Sequence, residues 1–397
     1  MTAHRGRVAI GFLFNHDAGH QAGHLIPILT AYADARPDDD IRAFVAPGAV
    51  SAMVRAAAAA RPGIRIVELQ TPPLRRAAAL VLDFALPASR ALRLRCNLAE
   101  LSGLNAIVTP EHATLALKRL VPPGVSFIYS GHGAGDRAYG FDAALSQFDL
   151  ILAPGEKSVR RFRDAGAING NAFALVGYPK FDAAPRSPQR FFDNDNPVVL
   201  YNPHFSPAFS SWYKMGARVL SWFADNPDLN LIFAPHVMLY RRPVHLTPGE
   251  AAIGVARPAP ARVRGRANIL IDTGGPRLFD MSYSAAADLY LGDASSQVLE
   301  FLLRPRPCVF LNAHQRDWRS DVNFIHWRCG EVIDRIDDLG PAIRGALAAP
   351  DRFQLAQKEH FSHSFDLTDE PSAVRAARAI SDFLSERWKI RLENAAQ

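Results

Sequence analysis

Histidines set beside glycines, and an aspartate followed by two serines, are the residues of this chain best suited to chemistry. His132 stands in Ser130-Gly131-His132-Gly133, just after an apolar strand pattern at 126–129. An imidazole with an ordinary pKa near ~6.5 takes a proton from a hydroxyl at neutral pH, and loops after strands carry such groups in α/β domains. His132 thus stands where a proton-accepting group would sit; the alternative is a histidine that merely suits a turn. His236 follows a strand pattern ending at 233, and His204 follows one ending at 201. Between 287 and 300 an apolar strand runs to Asp293, and Ser295-Ser296 then opens a helical pattern that carries Glu300. Free N–H groups at a helix start, with the serine hydroxyls, suit a phosphate, and Glu300 suits a ribose hydroxyl. Read alone, Asp293 or Ser295 is equally an ordinary helix cap.

The elements that must position these groups alternate along the chain. Short apolar runs without polar alternation occur at 8–14, 41–45, 64–69, 106–109, 126–129, 150–153 and 172–176. Such runs mark parallel strands covered on both faces. The stretch 181–197 is rich in Pro, Asp and Asn and reads as a linker. A second series follows, with strands at 198–201, 229–233, 269–272, 288–291 and 308–311. Helices are expected at 25–35, 215–224, 296–303 and, as a closing amphipathic element, 371–387. Residues 244–266, rich in Pro, Gly and Arg, read as a long loop. Two consecutive βα series imply two doubly wound domains facing a cleft. The expected boundaries are 1–185, 196–370, and a helix at 371–397 that crosses back onto the N-terminal domain.

Several of these stations, taken in order, resemble the CDP-glycerol glycerophosphotransferase family of teichoic-acid-type polymerases and primases. Ser130-Gly131-His132-Gly133 looks like that family's His-Gly loop, and Gly177-Tyr178-Pro179-Lys180-Phe181-Asp182 is similar to its Gly-Tyr-Pro-Arg-x-Asp. Leu200-Tyr201-Asn202-Pro203 stands where the family has a Tyr-x-Pro-Thr turn, but His204 and Phe205 replace that turn's Thr and Arg. Phe233-Ala234-Pro235-His236 stands at its His-Pro pair with the order reversed, and Asp293-Ala294-Ser295-Ser296 at its Asp-x-Ser-Ser. The resemblance spans roughly 126–312. Near the N-terminus, 19–27 looks like the Gly-Gly-His-x-x-Pro turn of GT-B glycosyltransferases. It implies a GT-B fold of two Rossmann-like domains, with His20, Gly23 and His24 on the acceptor side. His132 and His236 are then the catalytic pair, and Gly177, His204, Asp293, Ser295, Ser296 and Glu300 hold the nucleotide diphosphate. The implied activity is transfer of a glycerol-phosphate or sugar group from a CDP- or UDP-activated donor to a glycan or lipid-linked acceptor. A UDP-sugar glycosyltransferase, a UDP-GlcNAc 2-epimerase relative, and a non-catalytic nucleotide- or glycan-binding protein remain the alternatives.

The bulk composition agrees with such a protein. The chain has 397 residues, 48% of them hydrophobic, and a formal net charge of +6. Its arginines cluster, notably in 74–95, where aliphatic residues accompany them. That stretch suits peripheral contact with an anionic membrane surface, and equally a core helix with a solvated face. The expected location is the cytoplasm, with peripheral contact at the inner membrane face. Cys96, Cys308 and Cys329 lack metal-ligand or disulfide-framework spacing. His16, His20 and His24 recur every four residues, but 15–19 reads as loop and no Asp-x-Asp pair stands out, so no metal is expected. The nucleotide is a substrate, and no separate cofactor is implied. Basic residues are scattered without a helix-turn-helix or finger pattern, which argues against nucleic acid.

Overall fold

The computed structural model describes residues 7–17, 19–75, 88–136, 141–247 and 250–395. The chain divides into two compact units. The first joins Met1–His132, Phe141–Ala183 and Ser364–Gln397, and the second joins Gly133–Gly140 and Ala184–His363. The expected boundaries shift accordingly, since 133–140 belong to the second unit and 364–370 to the first.

The first unit holds seven parallel strands in the order β3-β2-β1-β4-β5-β6-β7. They are β1 Ala9–Phe14, β2 Asp40–Val45, β3 Ile64–Glu68, β4 Ala106–Thr109, β5 Ser126–Tyr129, β6 Leu150–Ala153 and β7 Ala172–Leu175. Ile10, Phe12 and Phe14 of β1 pack on one side with Leu25, Ile28 and Leu29 of the helix Ala22–Ala35. Leu13 enters the opposite layer with Ile107 and Phe127. Both faces are buried, and that is why these strands show no polar alternation.

The second unit holds six parallel strands in the order β12-β9-β8-β13-β14-β15. They are β8 Val198–Asn202, β9 Asn230–Phe233, β12 Ile269–Ile271, β13 Leu289–Gly292, β14 Cys308–Leu311 and β15 Glu331–Ile333. Every strand expected from an apolar run is present within one residue of its expected ends. The expected loop at 244–266 instead contains an antiparallel pair, β10 Val244–Thr247 and β11 Ala252–Val255. The missed signal was alternation: His245 is buried, whereas Val244, Leu246, Ile253 and Val255 are exposed.

The closing helix, Ser372–Ala395, buries Ala376, Ala377, Ile380 and Leu384, a stripe at helical spacing, against the β1 side of the first unit. Its start is held by Asp182, whose carboxylate accepts from the N–H groups of Ser372 at 3.1 Å and Ala373 at 2.6 Å. Gly177 lies under the same turn at φ 77°, where an added Cβ would collide with the Ser372 hydroxyl and come within 2.9 Å of the Asp366 carbonyl. Among the described residues, no helix is long and apolar enough to cross a membrane. Most of the arginine-rich stretch 74–95 lies outside the described residues. In its described part, Arg93 is buried on Asp17 at 2.7 Å and Arg90 meets Glu111 at 3.3 Å, so these two charges are spent within the protein.

Candidate active site

In each sheet the strand order reverses once, between β1 and β4 in the first and between β8 and β13 in the second. Loops leaving neighbouring strands diverge at such a point, and the carboxyl ends of the strands flank a crevice. The candidate side chains gather at these two places.

In the first unit they come from the loops after β1, β4 and β5. His132 Nδ1 lies 2.7 Å from the Pro110 carbonyl, which can only accept, so Nδ1 carries the proton. Nε2 of the neutral ring is then the basic nitrogen, with the Gln21 amide nitrogen 3.4 Å away. Burial lowers the pKa of His132, the Pro110 hydrogen bond opposes the shift, and Arg90 adds to it. The ring is thus neutral and able to accept a proton at pH 7. His20 sits 6.2 Å from it between ring centroids, and His16 a further 4.7 Å from His20. His112 is hydrogen-bonded to the Tyr129 hydroxyl at 2.8 Å.

In the second unit His204 and His236 follow β8 and β9. The register Tyr201↔Phe233 continues past the strands, where the His236 N–H donates to the Pro203 carbonyl at 3.0 Å. The two imidazoles therefore occupy equivalent positions on adjacent strands, with ring centroids 5.1 Å apart. His204 Nδ1 accepts from the Ser206 N–H at 3.0 Å, and His236 Nδ1 accepts from the Met238 N–H at 3.2 Å. With Nδ1 accepting, each ring in its neutral form carries its proton on Nε2.

Asp293 has a different place from the one expected. It is fully buried, and its carboxylate accepts from the N–H groups of His204, Ala294 and Ser211 and from the Ser211 hydroxyl, at 2.6–2.9 Å. Burial raises its pKa against those hydrogen bonds. Both oxygens accept protein hydrogen bonds, so Asp293 clamps the 203–211 loop onto the end of β13. Ser295 is buried too, with its hydroxyl 3.4 Å from the Gln297 N–H, while the N-cap of the helix is Ser296, whose side chain caps no N–H. The helix after it is Gln297–Phe301, only five residues, shorter than the expected 296–303, and its dipole is correspondingly small. Ser296 is the more open serine. Gly133, at φ 80°, and Gly135 lie over it, and a Cβ at either would approach within 3.3 Å and 3.0 Å of its side chain. Glu300 is buried.

Two further expectations change. Gly177, expected at the diphosphate, packs under the closing helix of the first unit, and Tyr178-Phe181 form an aromatic cluster with Phe365. His24, expected on the acceptor side, is a buried ring 5.1 Å from Tyr178, its pKa lowered by burial, then by Lys180 and His132. Gly23 lies in the first turn of the helix Ala22–Ala35.

Sequence reasoning missed Asp136, His326 and Trp327. Asp136 is buried and accepts from the His326 N–H at 2.8 Å, with the ring's Nδ1 at 3.0 Å from the same carboxyl oxygen and His360 3.4 Å away. His326 Nε2 and Trp327 Nε1 both donate to the Asp293 carbonyl, at 3.0 and 2.9 Å. This network ties the glycine segment 133–136 to the strand end beneath Ser296. Asp136, four residues beyond His132 in the same glycine run, was the available signal. Glu111 was signalled likewise, as a carboxylate two residues beyond β4.

No family model matches the chain, and no curated protein matches it. Solved structures do. A wall teichoic acid polymerase TagF structure has a TM-score of 0.60 at 14% identity, over 97% of this chain and 90% of that one. A putative UDP-N-acetylglucosamine 2-epimerase from Listeria monocytogenes has a TM-score of 0.57 at 13% identity, over 96% and 97%. The glycotransferase of kitacinnamycin has a TM-score of 0.52 at 16% identity, over 96% and 100%. The fold is GT-B. The expectation of two Rossmann-like domains in an α/β chain is met by the two parallel sheets.

Proposed function

We propose that this GT-B chain is a transferase that takes a glycerol-phosphate or sugar group from a CDP- or UDP-activated donor. The single observation that carries the reading is the matched pair His204 and His236, two Nε2–H donors at equivalent positions beside the second unit's strand reversal. Paired neutral donors suit a diphosphate leaving group, whose charge grows as the bond to the transferred group breaks. Ser296 supplies a hydroxyl to the same group, and Glu300 lies one turn further for the ribose. In the first unit His132 Nε2 accepts the proton of the attacking hydroxyl. The likeness in fold to a teichoic acid polymerase supports a cell-envelope glycan or lipid-linked acceptor. We place the reaction at the inner membrane face, where contact would run through 74–95.

A second reading, an epimerase acting on UDP-N-acetylglucosamine, draws on the likeness to 2-epimerases and on Glu111 near His132, two proton-transferring groups in one unit. A donor panel tests both. Release of CMP from CDP-glycerol supports glycerophosphate transfer, and UDP release with sugar transfer supports a glycosyltransferase. UDP released with an epimerised free sugar and no acceptor supports the epimerase. Nucleotide binding without turnover, unchanged by His132→Ala and Ser296→Ala, would leave a binding protein on this scaffold.

A further inference from the structure

An antiparallel pair with one solvated face ordinarily carries polar side chains on that face. The β10–β11 pair does the reverse. Val244 stands opposite Val255 and Leu246 opposite Ile253, so these four side chains share one face. They are 37%, 55%, 58% and 72% exposed in that order, and every position on this face is aliphatic. The opposite face is seated on the second unit. His245 is buried, with Nε2 2.8 Å from the Leu239 carbonyl. Gly254 rests on the Tyr213 ring, where an added Cβ would come within 2.5 Å. The Tyr213 hydroxyl donates to the Phe205 carbonyl at 2.6 Å, and the Ser206 and Thr247 hydroxyls meet at 2.6 Å. The pair is thus fixed on the loop that carries His204, and its aliphatic face is held outward.

What covers such a face is set by its size and its surroundings. Four half-exposed aliphatic side chains present on the order of 300–400 Å², the size of a functional patch. A stable protein interface takes ~800 Å² from each partner and is anchored by aromatic side chains, which this face lacks. The surrounding charge is of one sign, because residues 241–266 hold six arginines and one acid. Arg241 and Arg242 precede β10 and Arg257 follows β11, all three exposed and, by the antiparallel register, at the same end of the pair. The acid, Glu250, lies toward the other end and is paired with Arg316 at 2.9 Å. An aliphatic face without polar side chains, set beside exposed arginines, matches acyl chains beneath a layer of lipid phosphates. We propose that the β10–β11 pair is a membrane-docking element, which lays Val244, Leu246, Ile253 and Val255 into an anionic bilayer surface with Arg241 and Arg257 on its phosphates. This contact is distinct from one through 74–95. It sets the His204 loop at the membrane surface, where a lipid-linked acceptor lies; only that consequence rests on the transferase reading.

Co-sedimentation of the full chain with vesicles tests it, using phosphatidylcholine alone and an equal mixture with phosphatidylglycerol, alongside melting shifts with CDP and UDP. The chain should sediment with the mixed vesicles and not with phosphatidylcholine alone. Leu246→Ser combined with Ile253→Ser should weaken that binding roughly tenfold or more, because partitioning scales with the apolar area buried. Arg241→Gln combined with Arg257→Gln should weaken it less and flatten its salt dependence. All four positions are exposed, so the nucleotide shifts should not change. Ile253→Trp places a probe on the face, and its added fluorescence should move to the blue with mixed vesicles only. The proposal is overturned if the wild type ignores mixed vesicles, if the serine variant binds them as the wild type does, or if the added tryptophan emission does not move. It is equally overturned if sedimentation velocity shows the face closing a dimer that the serine variant splits, with no vesicle binding. Vesicle binding through this face without any nucleotide shift would sink the transferase reading alone.

Discussion

Pro110 fixes the tautomer of His132, so removing the ring should separate catalysis from binding. His132→Ala is expected to lower turnover by about 10²–10⁴-fold while nucleotide melting shifts persist, and equal loss of both would deny it the role of base. Because burial lowers its pKa, the rate should be flat through neutral pH and fall only below about 6.5, as the ring takes up its proton. Stability carries a related signature. His24, His112 and His314 also have pKa values lowered by burial first. A lowered group binds fewer protons when folded, so its contribution is full above ~6.5 and is lost as pH falls toward the folded value. The raised pKa values of Glu111 and Asp293 act with the opposite sign. The informative quantity is therefore the difference between wild type and His24→Leu in urea unfolding between pH 7 and 5, and the variant should show the shallower loss. Parallel pH profiles would rule His24 out. Asp293→Ala should cost roughly 3 kcal/mol or more, since a buried carboxylate with four hydrogen bonds is removed, and proteases should then cut within 203–211.

Among the elements, the closing helix is the most exposed to single changes at its start. Asp182 accepts two of its orphan N–H groups, so Asp182→Ala should cost about 1 kcal/mol and speed hydrogen exchange over the first turn. Gly177→Ala should cost more, because φ 77° disfavours any side chain and the Ser372 hydroxyl fills the space. If the glycine variant melts as the wild type does, the docking turn is not where this helix is secured. The five-residue helix after Ser296 carries little dipole, so phosphate affinity should depend more on His204 and His236 than on helix substitutions.

At the scale of the whole molecule, a nucleotide that binds the folded chain must raise its melting temperature. CDP or UDP at a hundredfold excess over Kd should add roughly 2.7 kcal/mol, and the nucleotide giving the larger shift identifies the donor base. Imidazole donors at the second unit's strand reversal make the proposed leaving-group stabilisation independent of divalent cations. Chelation should therefore leave turnover unchanged, and a loss restored by magnesium would reassign that charge.

Sequence alone determined the two βα series, because strands buried on both faces must be continuously apolar, as in β1, β5 and β13. It also located His132, His204, His236 and Ser296, since polar residues directly after such strands lie at the carboxyl edge of a parallel sheet. It did not reveal that Asp293 is a clamp, that Gly177 belongs to the closing helix, or that Asp136 and Glu111 are buried beside the candidate sites. Those facts depend on partners far away in the chain: Asp293 on Ser211, Gly177 on Ser372, Asp136 on His326, and Glu111 on Arg90. Local pattern reports which face a residue occupies, whereas the spending of its hydrogen bonds is decided only when distant loops meet over the sheet.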